Sequence, residues 1–137
     1  MPDRQSRIAD WVCTGTGLVK GTTLQVGRYL ETSPERCVLI RETGGVPYMT
    51  QIKDDVMYQF ISRAISPADS LADSRTVYNF LYKNGLITLP PAPAAEEVWI
   101  DAIEPVSLPQ YLGEDDKGRT LYSTNYKFML SMKGGKI

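Results

Sequence analysis

The chain has 137 residues, with 15 Lys and Arg against 16 Asp and Glu and no histidine, a length that fits one domain over residues 1–137 and not two. At 42% apolar and 23% charged residues it has the balance of a globular protein, large enough to fold without a disulfide framework or structural metal. A net charge of −1 excludes a surface dominated by phosphate contacts, and no stretch reaches the roughly 20 apolar residues of a membrane span, so neither sequence-specific nucleic acid nor membrane is expected as a partner.

Met1 to Arg7 lacks a signal-peptide apolar run, so export is not expected and Cys13 and Cys37 are read as reduced thiols. Ile8, Trp11 and Val12 sit at helical spacing behind Pro2 and Asp3, predicting a helix over 3–13 that ends at Thr14-Gly15-Thr16-Gly17. A strand follows over Leu24 to Leu30, stopped by Thr32-Ser33-Pro34-Glu35. Cys37 to Ile40 is apolar at both parities, as expected of a central strand covered on both faces. Gly44-Gly45 then supplies a tight turn, with Val46 to Met49 leading back, and alternation from Asp55 to Ala64 predicts the next strand.

Ser66-Pro67-Ala68-Asp69 has a capping residue, an N1 proline and an acidic partner, so residues 67–83 are predicted helical, with Asn84-Gly85 as the stop. Leu86 to Leu89 is a short strand, and Pro90, Pro91 and Pro93 make an ordered connector. Glu97 to Glu104 reads as a strand ended by Pro105. Tyr122, Tyr126, Phe128, Leu130 and Met132 mark a long final strand paired with it. The link between them, Ser107 to Arg119, is expected exposed and mobile. This order predicts an α+β fold: a mainly antiparallel, mixed sheet with two helices packed on it, in a single two-layer domain.

Without histidine, the commonest general base and any Ser-His or Cys-His activation are absent. Cys37 lies among Val38, Leu39 and Ile40 and reads as an inert buried thiol. Gly15 to Thr22 has its lysine before the last glycine and no strand ahead of it, so no nucleotide is inferred. Asp54-Asp55, Glu96-Glu97 and Glu114-Asp115-Asp116 read as solvated turns, not metal sites. Asp101 and Glu104 fall on opposite faces of their strand and make no acid–base pair. No catalytic residue, metal or cofactor is assigned.

The layout resembles the tail terminator proteins of long, non-contractile-tailed bacteriophages. The similarity lies in the N-terminal helix, the strand Cys37 to Ile40 running into Arg41-Glu42-Thr43-Gly44-Gly45, and the strand through Tyr58 and Phe60. It continues through the helix from Pro67 and a closing unit with Glu104-Pro105, Asp116-Lys117-Gly118-Arg119, Tyr122, Asn125 and Tyr126. The resemblance implies a non-enzymatic protein that assembles with itself as a homo-hexamer on the finished tail tube, stops its polymerisation and offers a surface to the head-tail connector protein. It implies the host cytoplasm before assembly and the virion tail after it. For such a ring, the candidate subunit or tube interfaces are the loop at Glu114, Asp115, Asp116, Lys117 and Arg119 and the turn at Arg41, Glu42, Gly44 and Gly45. Competing readings are a head-completion or neck protein of the connector, an accessory enzyme using a carboxylate-bound metal at Glu114 to Asp116, and a monomeric adaptor acting through a sheet edge.

Overall fold

The computed structural model describes residues 4–47, 53–83, 87–88 and 98–132. Helix α1 spans Arg4–Thr16 and buries Ile8, Trp11 and Val12. It runs past the predicted end because Gly15 stays helical: the Phe80 ring packs so close that an added Cβ would lie 1.9 Å from its Cε1. Gly17, at φ 78°, takes the left-handed conformation that ends the helix. Helix α2 spans Pro67–Lys83, and Ser66 Oγ accepts the Asp69 N–H at 3.5 Å as its cap. Ser62 Oγ donates to the Ser70 carbonyl at 2.6 Å, tying the first turn of α2 to the sheet. The expected stop at Asn84-Gly85 lies outside the described residues.

Among the described residues seven strands form one sheet: β1 (Leu24–Val26), β2 (Cys37–Pro47), β3 (Lys53–Ala64), β4 (Ile87–Thr88), β5 (Val98–Pro105), β6 (Gln110–Glu114) and β7 (Thr120–Met132). Their order is β1-β2-β3-β7-β5-β4, with β6 also on β7. Only β1 with β2 is parallel, so the sheet is mixed and mainly antiparallel. The fold is α+β, as predicted, and β7 pairs with β5 as expected while β3 takes its other side.

Three local expectations are overturned. Gly44-Gly45 is no turn: β2 continues to Pro47, with a bulge between Glu42 and Gly44 that glycine's access to positive φ accommodates. The predicted strand over 24–30 shrinks to Leu24–Val26 because Gly27, at φ 88°, turns the chain away. The Ser107 to Arg119 link holds β6, which pairs with β7 from Gln110↔Ser123 to Glu114↔Thr120. Pro105 is the last residue of its strand, as expected, and pairs with Tyr126. The Pro90 to Glu96 connector and residues 48–52 lie outside the described residues.

Both helices cover one face of the sheet, α2 over β3, β7 and β5 and α1 over β1 and β2. The pairing register puts Ile40 beside Phe60, Val56 beside Phe128 and Tyr58 beside Tyr126 on that face, and all are buried. Tyr58 meets Phe128 edge-on at 5.1 Å and Phe60 meets Tyr126 at 5.5 Å, each geometry contributing about 0.5–1.5 kcal/mol beyond burial. On the back face, the segment Gly27 to Arg36 folds across one end. Arg63, 4% exposed, donates to the Pro34 carbonyl at 2.6 Å and lies 4.2 Å over the Tyr29 ring. Tyr29 Oη in turn donates to the Ile61 carbonyl at 2.6 Å. Cys37, Val38, Leu39 and Ile40 are therefore all buried, covered on both faces as their composition predicts.

Candidate functional site

The β2 bulge lies beside the N-terminus of α1 and the start of β3. Arg4, in the first turn of α1, reaches Asp54 at 2.7 Å and Glu42 at 3.6 Å. Tyr58 Oη donates to Glu42 Oε1 at 2.8 Å, and the Glu42 N–H donates to Gln5 Oε1 at 2.5 Å. Burial lowers the Arg4 pKa, but the Asp54 hydrogen bond and the charges of Tyr58, Glu42 and Asp54 outweigh it and leave it raised. Arg4, Glu42, Gly44, Gly45, Asp54, Asp55 and Val56 line an open cleft of about 200 Å³. Asp54 and Asp55 belong to β3, paired with Pro47 and Val46, and are not the solvated turn their sequence suggests.

Of the residues singled out at this end, Glu42, Gly44 and Gly45 come together and Arg41 does not. Strand alternation turns Arg41 to the back face, where its Nε donates to Gln59 Oε1 at 2.7 Å and Gln59 Nε2 donates to Ser123 Oγ at 2.8 Å. Arg4, Gln5 and Asp54, from elements about fifty residues apart in the chain, complete the cleft without any sequence signal that joins them.

The second candidate group is the hairpin between β6 and β7. Asp115 is its organiser: Oδ1 accepts the Lys117 and Arg119 N–H groups at 3.0 Å each, and Oδ2 accepts Arg119 Nε at 2.7 Å. The Gly118 N–H closes the turn on the Asp115 carbonyl at 3.0 Å, with Gly118 at φ 76°. Burial alone would raise the Asp115 pKa, but the Arg119 and Lys117 donors and the Arg119 charge together hold it below the ordinary carboxylate value. This network replaces the expected mobile loop with a fastened turn. Arg119 also approaches Glu35 at 3.7 Å, linking the hairpin to the segment on the back face. Asp115 and Arg119 are thus committed internally, while Glu114, Asp116 and Lys117 face solvent.

The two groups occupy opposite ends of the sheet. Gly45 sits across from Val56 and the hairpin adjoins Thr120, across from Ala64, so about 26 Å of strand separates them at ~3.3 Å per residue. Cys37 is buried, with its thiol pKa pushed up chiefly by burial, and no three His, Cys, Asp or Glu side chains among the described residues converge as metal ligands. Both ends present polar side chains carried on the sheet.

A model of the bacteriophage tail terminator protein family matches residues 14–131. The chain belongs to that family. The match runs from the last turn of α1 through α2 and all seven strands to the penultimate residue of β7. No curated protein matches the chain. Membership gives this tail terminator a structural role in the phage tail.

Proposed function

We propose that the chain closes into a homo-hexameric ring on the completed tail tube, ends its polymerisation and presents the joining surface for the head-tail connector protein. The observation that carries this reading, beyond family membership, is the pair of unlike polar ends held about 26 Å apart by continuous strands. A ring that stops a tube needs two axial surfaces of different character, one for the tube protein and one for the connector. The cleft end, with Glu42, Gly44 and Gly45, and the hairpin end, with Glu114, Asp116 and Lys117, supply them. A single heterologous contact between identical chains closes into a ring when the rotation per copy divides a full turn, and closure itself ends growth. A net charge of −1 leaves little repulsion among six copies. No covalent chemistry enters the mechanism.

Phage made without the chain should carry tubes of uncontrolled length and no attached heads in negative-stain micrographs. Uniform tails joined to capsids in its absence would refute the proposal. Charge reversals separate the ends: Glu42→Lys and the pair Glu114→Lys with Asp116→Lys should give different defects, overlong tails in one case and headless tails of normal length in the other.

A further inference from the structure

Among the described residues, four buried side-chain oxygens have no hydrogen-bond partner within the protein: Asp55 Oδ1, Ser107 Oγ, Thr124 Oγ1 and Tyr126 Oη. Asp55 and Ser107 are partly exposed residues, where a small rotation reaches solvent. Thr124 and Tyr126 have no such outlet, at 1% and 0% exposure. Stranding a hydroxyl in an apolar core is costly, and folded proteins rarely leave one unpaired.

The two hydroxyls are neighbours. Thr124 and Tyr126 stand two residues apart on β7 and so share a face. Tyr126 leans toward Thr124, because its ring meets Phe60, the residue paired with Thr124, edge-on at 5.5 Å. Burial pushes the Tyr126 phenol pKa up, and the adjacent Thr124 hydroxyl offsets part of the rise. A bond from one hydroxyl to the other would not complete the set. Each oxygen carries one hydrogen to donate, so a mutual bond engages one and leaves the second without an acceptor. A third group, able both to accept and to donate, is required.

The helix above completes the enclosure. Near the start of α2, Ser70 is tied to Ser62, which pairs with Tyr122. Further along α2, the Tyr78 ring lies 6.4 Å from that of Tyr126. Four helical residues rise ~6 Å and two strand residues ~6.6 Å, so Ser74 falls above Thr124, midway between those two contacts. Ser74 is 4% exposed. Helix and sheet thus oppose two small hydroxyl side chains here, whereas elsewhere in the same core Tyr58, Phe60, Val77 and Leu81 fill the interval, all at most 2% exposed.

We propose that Thr124 Oγ1 and Tyr126 Oη hold a single internal water beneath α2, with the Ser74 hydroxyl as its third partner. Water meets the requirement because it takes the unpaired hydrogen on a lone pair and offers its own hydrogens to the other oxygens. Buried waters characteristically make about three such bonds. The site lies wholly inside the core, which restricts its ligand to a molecule small enough to be enclosed on folding. It is separate from both polar ends of the sheet, so it stands or falls independently of the ring reading.

A high-resolution crystal structure of the wild-type chain should show a density peak within about 3 Å of both oxygens, and the Thr124→Val/Tyr126→Phe double variant should lack it. Thermal melts give a second readout. Thr124→Val alone or Tyr126→Phe alone leaves the other hydroxyl short of a partner and should lower the melting temperature by about 3–6 °C. The double variant removes both orphaned oxygens with little change of shape and should melt no lower than the worse single variant. A dry site in the wild type with both hydroxyls bonded to protein groups, a peak that persists in the double variant, or single losses that simply add would each overturn the inference.

Discussion

Removing the Asp115 carboxylate tests whether the β6–β7 hairpin is held as described. In Asp115→Asn the amide oxygen still accepts the Lys117 and Arg119 N–H groups, and only the charge and the 2.7 Å bond from Arg119 Nε are lost. A partly exposed ion pair contributes about 0.5–1 kcal/mol. Asp115→Ala also removes the acceptor for two backbone donors, which regain water, so the total loss is about 2 kcal/mol. For a slope of ~1–3 kcal/mol per molar urea, the alanine variant should unfold about 1 M earlier and the asparagine variant by less than half that. Because the folded pKa is held down, this stabilisation is complete above the unfolded value near ~3.9 and disappears as pH falls through the folded one. The wild-type advantage over Asp115→Asn should therefore persist at neutral pH and vanish in strong acid. Equal midpoints for all three proteins at pH 7, or unprotected Lys117 and Arg119 amides in hydrogen exchange, would refute the fastened hairpin.

Gly45→Val should destabilise by more than about 3 kcal/mol, since φ is 151° and a Cβ would lie 2.0 Å from the Asp55 carbonyl oxygen; an unchanged melting temperature would contradict that close approach. Gly15→Ala gains up to about 1 kcal/mol of helix propensity but pushes on the Phe80 ring at a cost of about 1–3 kcal/mol. It should lower stability and alter Trp11 emission, because Trp11 and Phe80 pack at 4.8 Å. Thiol labelling of the native protein should modify Cys13 before Cys37, which is 1% exposed and should react only at the rate of unfolding.

Elements specified by nearby residues were legible in the sequence. The α2 bounds follow from Ser66, Pro67 and Asp69 with the stripe behind them, and the double burial of Cys37 to Ile40 follows from its lack of alternation. Illegible were features that depend on register. The bulge between Ile100 and Ala102 breaks the two-residue period, so Asp101 and Glu104 share the back face, bonded to Ser131 at 3.0 Å and Lys127 at 3.2 Å, and are not on opposite faces. β6 was hidden because Gln110-Tyr111-Leu112-Gly113-Glu114 has an extra residue at its own bulge and reads as a loop. At the candidate surfaces, the family pattern pointed to Glu42 and Asp115. It could not supply Arg4 or Arg63, whose partners lie 50 and 29 positions away.

The long central pair has a mechanical consequence. β3 and β7 are joined through twelve residue pairs, from Lys53↔Ser131 to Ala64↔Thr120. Tension applied between the cleft and the hairpin runs along these strands, so the rungs are sheared together instead of being peeled one at a time. Such a ladder yields only when many hydrogen bonds fail at once, so the sheet resists extension along this axis far better than across it.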